Sequence, residues 1–208
     1  MKIGLLLGSF DPVHVAHINM AACALNSGLC DMVLFVVAQH NPWKENAPAP
    51  FDLRCDMIAA SIRAFEGRCD VCALEKEIEP PTYSYKVLNR LMELYPHDEL
   101  FLICGSDTIE KVPQWKCFET EIKDKIGFIV VKRDDGTEIE NPTKPFIIHQ
   151  GSMSSLTNKE FWYIKTQKMD VSSTMVREMI RRGMNPYPYV TEEALKIISL
   201  NKLYRLYR

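Results

Sequence analysis

The sequence predicts an α/β protein built on an open, doubly wound parallel sheet with helices on both faces. Three observations carry this. Short apolar runs alternate with helical patterns along the chain. The runs are almost continuously hydrophobic, as strands covered on both faces are. A glycine-led turn, Gly8 to His17, joins the first run to the first helical pattern.

The elements follow in order. Ile3–Leu7 reads as a buried strand, and His17 to about Asn26 as the helix after it. Met32–Ala38 is the second strand, followed by a loop with three prolines, Gln39 to Pro50, and a helix over Asp52–Phe65. Val71–Leu74 is a third strand. In the next helix, Ser84–Tyr95, residues Val87, Leu88, Leu91, Leu94 and Tyr95 recur at helical spacing. Leu100–Cys104, Gly127–Val131 and Phe146–His149 complete the strands, with a polar, turn-rich stretch at Asp134–Pro145. Ser172-Ser173-Thr174 opens a helix with apolar positions Met175, Val176, Met179 and Ile180, which stops at Gly183, a good residue just past a helix end. A last helix spans about Thr191 to Leu200 and forms a C-terminal helical segment with its predecessor. No repeat or linker divides residues 1–208, so a single domain is expected.

Composition narrows the function classes. The 208 residues are 47% hydrophobic, with 25 Lys and Arg against 27 Asp and Glu and a net charge of −2. No basic field points to nucleic acid or an anionic membrane surface. The first apolar run is too short for a signal segment and none reaches membrane-spanning length, so a cytoplasmic protein is expected. The seven cysteines are odd in number and irregularly spaced, which argues against a disulfide framework. Cys69 and Cys72 form a lone C-x-x-C without the second pair that zinc needs. Reduced and mostly buried thiols are the expectation.

The chemistry concentrates at strand-to-helix turns. Gly8 allows backbone to approach a ligand closely because no Cβ intervenes. A helix start supplies N–H donors and partial positive charge. His14 and His17, three residues apart, share a face of that first turn and can donate to phosphoryl oxygens. Taken alone, each histidine would more often pack or cap the helix. At the second turn, Ser172, Ser173 and Thr174 can cap a helix, and Arg177 lies one turn further on, so hydroxyls, N–H groups and a guanidinium converge on one anion.

Gly8-Ser9-Phe10-Asp11-Pro12-Val13-His14-Val15-Ala16-His17 resembles the H-x-G-H signature of nucleotidyltransferases with a Rossmann-like fold, with Ala16 in place of glycine. Val171-Ser172-Ser173-Thr174-Met175-Val176-Arg177 resembles the I-S-S-T-x-x-R motif of the same superfamily. Asn41-Pro42-Trp43-Lys44, with Arg54 and Met57, resembles the P-H-K…R…M pattern of nicotinate mononucleotide adenylyltransferases, Trp43 replacing histidine. Pro81 to Tyr85, Cys104-Gly105-Ser106-Asp107 with Trp115, and Asn201-Lys202-Leu203-Tyr204 resemble further segments of that family, so the resemblance spans nearly the whole chain.

The resemblance implies adenylyl transfer from ATP to nicotinate mononucleotide. It implies that Gly8, Ser9 and Phe10 line the nucleotide site and that His14, His17 and Lys44 contact ATP phosphates. Gly105 and Asp107 would hold adenosine, and Ser172, Ser173, Thr174 and Arg177 would cradle the distal phosphates. Thr82, Tyr83, Ser84, Tyr85 and Trp115 would hold the nicotinate, with Arg133 toward the mononucleotide phosphate. Mg²⁺ is expected with the triphosphate, held by phosphate and water and not by a protein cage. The loop at Thr82–Tyr85 precedes a helix, so its N–H groups favour a carboxylate over a carboxamide. Nicotinamide mononucleotide or pantetheine phosphate as acceptor, and a nucleotide-binding regulator without catalysis, are the competing readings. A homo-oligomer stays open.

Overall fold

The computed structural model describes residues 1–39, 49–134, 146–150, 159–167 and 169–205, with 133–134 and 146–150 described by backbone alone. Its strands are β1 (Lys2–Gly8), β2 (Met32–Val37), β3 (Cys69–Cys72), β4 (Glu99–Gly105), β5 (Gly127–Asp134), β6 (Phe146–Gln150) and β7 (Phe161–Gln167). They form one seven-stranded sheet in the order β3-β2-β1-β4-β5-β7-β6. Every pair is parallel except β6 with β7. This is the Rossmann-like arrangement, extended by one antiparallel edge strand.

The helices are α1 (Val15–Asn26), α2 (Phe51–Ser61), α3 (Ser84–Leu94), the short α4 (Ser106–Ile109), α5 (Ser173–Arg181) and α6 (Glu192–Leu200). Alternation along each strand divides the apolar side chains between two cores. Leu6, Phe35, Val37, Phe101 and Ile103 meet Ala21, Leu25, Met57, Ile58, Val176 and Ala194 of α1, α2, α5 and α6. On the other face, Ile3, Leu5, Leu34, Leu102 and Phe128 meet Val87, Leu88 and Leu91 of α3, with Phe118 and Ile122. The helix-on-both-faces expectation therefore holds.

The caps explain where the helices begin and end. Ser172 Oγ accepts from the Met175 N–H at 3.1 Å, and Thr191 Oγ1 from the Ala194 N–H at 3.3 Å. Gly183, at φ +73°, ends the α5 turn: its N–H reaches the Ile180 carbonyl and that of Met184 the Met179 carbonyl. This is the paired closure that a left-handed glycine permits.

Several expectations need correction. β7 was not anticipated: Trp162 and Tyr163 are only partly buried, and Lys165 and Gln167 interrupt the apolar run. Phe146–Gln150 pairs antiparallel with β7 and is not another parallel strand, because direction is set by a partner that one strand's composition does not reveal. β3 is the C-x-x-C itself, Cys69–Cys72, and Leu74 belongs to a following 3₁₀ turn. Residues three apart on a strand point to opposite faces, so Cys69 and Cys72 cannot close on one ion or on each other. All seven cysteines are free thiols, and burial pushes Cys30, Cys69 and Cys104 up to about 12. α1 starts at Val15, two residues early, and α2 ends at Ser61, with Arg63–Phe65 a separate turn.

Candidate active site

The strand order reverses between β1 and β4, where successive connections leave for opposite faces of the sheet. A crevice opens there beyond the strands' carboxyl ends. It is a cleft of about 780 Å³ walled by Gly8 and Ser9 from β1 and its turn, His14 and His17, Glu75, Thr82 to Ser84, Gly105, Asp107, Trp115, Lys116 and Ser172.

At one end His14 caps α1 in extended backbone, and its N–H donates to Nδ1 of His17 at 3.2 Å. The rings stack with centroids 3.6 Å apart. Since Nδ1 of His17 accepts, the proton of the neutral ring sits on Nε2, which is then a donor. Phe10 does not line the cleft. It adopts φ +47°, is buried, lies edge-on to His17 and presses so closely on Gly8 that a Cβ there would meet its ring at 3.0 Å. The missing Cβ of Gly8 makes room for that contact.

Helix α5 is fastened to the same turn. Ser173 Oγ donates to the Pro12 carbonyl at 2.9 Å. Arg177 donates through Nη1 to the Asp11 carbonyl at 2.7 Å and through Nη2 to Thr174 Oγ1 at 3.2 Å. Its Nε is buried without a hydrogen-bond partner. Ser172 lines the cleft, and Ser173, Thr174 and Arg177 follow it along the first turns of α5 at the edge of that wall. The residues expected at the distal phosphates thus converge on the Gly8–His17 turn, with Ser173 and Arg177 spending donors on its backbone.

Beneath the turn lies buried charge. Arg54, only 1% exposed, donates to the carbonyls of Ser9 at 2.6 Å, Ala38 at 2.8 Å, Ala49 at 3.2 Å and Gln39 at 3.4 Å. Burial lowers its pKa, and the charge of Asp11 opposes that. Asp11 is raised by burial, while the Tyr204 hydroxyl and then Arg177 and Arg54 pull it down. Tyr204 donates to Asp11 Oδ1 at 2.7 Å.

The other end is more open. Tyr83 caps α3 and lines the cleft, but its N–H is taken by the Pro81 carbonyl at 3.0 Å, so the expectation that every N–H of the Thr82–Tyr85 loop is free is corrected. The first helical residues, Ser84 and Tyr85, keep N–H groups without an intrahelical acceptor. Tyr85 stacks on Tyr83 at 6.1 Å and lies outside the wall. Lys116 holds Nζ 4.2 Å from the Tyr83 ring centre. Glu75 is buried, and its Oε2 accepts from the Gln39 N–H at 2.8 Å and Thr82 Oγ1 at 2.9 Å. Burial raises its pKa and those two donors hold it down. Gly105 caps α4 with open space where a Cβ would stand, and Asp107 is exposed in its first turn.

Lys44, with Asn41 to Trp43, lies outside the described residues, and Arg133 is placed by its backbone in β5 alone. Sequence reasoning missed Glu75 and Lys116 altogether. Lys116 directly follows Trp115, which was the one signal available. Asp11 sits inside the recognised motif and Tyr204 inside the recognised ending, but their bond joins residues 193 apart. Among the described residues, no group of three or more His, Cys, Asp or Glu is placed to hold a metal ion.

The comparisons agree with one another. The model of the cytidylyltransferase-like family matches residues 5–179. A probable nicotinate-nucleotide adenylyltransferase of Methylacidiphilum infernorum is 27% identical over 204 residues, covering 98% of this chain and 92% of the relative. One from Clostridium botulinum, strain Okra, is 29% identical over 202 residues, covering 97% and 98%. Among solved structures, Plasmodium falciparum nicotinic acid mononucleotide adenylyltransferase complexed with NaAD superposes with a TM-score of 0.75 at 20% identity, covering 98% of this chain and 97% of that one. At that identity the likeness carries the fold.

Proposed function

We propose that this chain, which belongs to the cytidylyltransferase-like family, transfers the adenylyl group of ATP to nicotinate mononucleotide, giving deamido-NAD and pyrophosphate. The observation that carries the reading is the switch-point cleft, with two histidines and a capped helix at one end and aromatic rings beside a helix start at the other. Full-length relatives named for this activity support it.

A phosphate oxygen of the mononucleotide attacks the α-phosphorus of ATP, and the bond to the bridging oxygen of pyrophosphate breaks. The attacking phosphate is already ionised, so no strong base is required. Catalysis rests on aligning two anions and on meeting the charge that grows on the leaving group. His17 donates from Nε2 to phosphoryl oxygens, with His14 stacked on it. Ser172 and the α5 start meet the distal phosphates, with Arg177 beside them. Lys44 is proposed to join the phosphate contacts, and Arg133 the mononucleotide phosphate. Gly105 and Asp107 take the adenosine, and the Ser84 and Tyr85 N–H groups with Trp115 take the pyridine ring.

Mg²⁺ enters with the triphosphate. The histidine end offers imidazoles and hydroxyls, and its carboxylate, Asp11, is buried and engaged. That donor set fits a metal held by phosphate and water. Residues 1–208 are read as one domain, supported by the single sheet and the packing of α6 on α2, and as a cytoplasmic protein. No described helix is long and apolar enough to cross a membrane.

Purified protein with ATP, Mg²⁺ and either nicotinate mononucleotide, nicotinamide mononucleotide or phosphopantetheine tests the proposal. Pyrophosphate release with deamido-NAD as the main product is expected. Turnover confined to another acceptor overturns the acceptor, and no turnover with any overturns the reaction.

A further inference from the structure

We infer that Tyr204 is a positioning residue: by holding the Asp11 carboxylate, it keeps the Arg177 guanidinium available to ATP phosphates. The inference rests on the adenylyl-transfer reading for the role of Arg177, and on geometry for the rest.

Tyr204 is 7% exposed and Asp11 4% exposed, so neither takes its partners from bulk water. The phenol donates to one carboxylate oxygen, Oδ1, at 2.7 Å. The other oxygen, Oδ2, stands 4.0 Å from Arg177 Nη1, too far for a hydrogen bond. Nη1 instead donates to the backbone carbonyl of Asp11. The arginine therefore lies beside a buried carboxylate without closing on it. A carboxylate and a guanidinium favour a two-pronged pair when both are free to turn, and such pairs are among the strongest in proteins. Tyr204 on Oδ1, together with the Ala49 N–H that also donates to this carboxylate, opposes the turn.

Two further facts agree. Arg177 Nε is buried and lacks a partner, a costly state for a guanidinium nitrogen unless a ligand or a rearrangement satisfies it. Burial and the neighbouring carboxylate push the Tyr204 phenol upward, so it remains a donor throughout the working range. The charged and titratable groups facing Asp11 are Arg177 from α5, Arg54 from α2 and Tyr204 itself.

Tyr204→Phe removes the hydroxyl and keeps the ring, so packing is conserved. Asp11 then keeps only the Ala49 N–H as a hydrogen-bond donor and turns toward Arg177, and the KM for ATP rises about tenfold, the size of one charge-assisted hydrogen bond lost to a ligand. The KM for nicotinate mononucleotide and the melting temperature stay close to wild type. Adding Asp11→Asn to Tyr204→Phe restores the KM for ATP to within about threefold, since a neutral amide does not capture the arginine. Calorimetric titration with ATP alone gives the same ranking without turnover. An unchanged KM in Tyr204→Phe, a rise shared equally by both substrates, or no rescue by Asp11→Asn overturns the inference. Wild-type protein that does not bind ATP overturns the functional reading and this inference with it, whereas ATP binding without an acceptor reaction overturns the acceptor alone.

Discussion

Around His14 and His17 the cleft rests on buried charge, whereas around Tyr83 and Trp115 it rests on half-exposed rings. At the first end Arg54 ties four carbonyl oxygens together below the surface, and Asp11 is shared among Tyr204 and two arginines. At the second, the ring stack of Tyr83 and Tyr85 and the Lys116 contact lie at the rim, with Glu75 the buried exception. The contrast suits the proposed chemistry. Charge develops at phosphorus, and fixed donors there cost no reorganisation during reaction. The pyridine end has to choose a ring substituent, which needs local groups and not a rigid floor.

If the contrast is right, damage at the two ends differs in kind. The largest effect belongs to Arg54→Met, which leaves the carbonyls of Ser9, Ala38, Ala49 and Gln39 without their donor and Asp11 with less countercharge. Denaturant unfolding is expected to show a loss of about 3–5 kcal/mol, the usual result of removing one partner from a buried charged network. A midpoint near wild type would break the comparison at its foundation.

His17→Ala tests function at the same end. Turnover falls roughly 10²–10³-fold, the typical effect of removing one preorganised donor to a developing charge. The binding of ATP weakens less, because the donor matters most in the transition state. Pre-steady-state pyrophosphate release separates the two quantities, and equal losses in both would make His17 a binding group only.

At the open end, Lys116→Gln leaves stability alone and alters choice. Efficiency with nicotinate mononucleotide drops about tenfold while that with the nicotinamide form holds, because a cation distinguishes carboxylate from carboxamide where size cannot. A parallel fall with both acceptors would move Lys116 to their shared phosphate.

The smallest effect concerns Glu75. Both of its donors reach the same oxygen, so Glu75→Gln can keep both bonds while removing a buried charge. Its pKa is raised in the folded state, chiefly by burial. Its contribution to stability is therefore present below the ordinary glutamate range and is lost as pH rises through the elevated value. Stability measured from about pH 4 to 7 should fall less steeply in Glu75→Gln, which gains under about 1 kcal/mol at neutral pH. A steeper fall would show that the carboxylate is stabilised by charge at this end too.

Legibility in the sequence follows the same division. The Gly8–His17 turn could be read because strand, glycine and helix start are contiguous, and the α5 start because three hydroxyls and an arginine fall within six residues. The parallel order followed from apolar runs alternating with helices. The antiparallel β6 could not be read, since its direction depends on β7, whose half-buried Trp162 and Tyr163 mask the strand. Glu75 and Lys116 stayed hidden because only folding brings a 3₁₀ turn and a loop residue to the α3 start. Phe10 misled because a motif position was taken for a surface one, and its positive φ turns the ring inward.

The bond between Asp11 and Tyr204 joins residues 193 apart. Closing so long a loop costs little more than closing a shorter one, because the entropic penalty grows only with the logarithm of length. What it changes is order in time. A growing chain can assemble β1, β2 and β4 and present its glycine turn while α5 and Tyr204 have yet to be made. Contacts of such high sequence separation form late and slow folding. The nucleotide contacts proposed to depend on α5 and Tyr204 thus form only after the strands that present the glycine turn have been made.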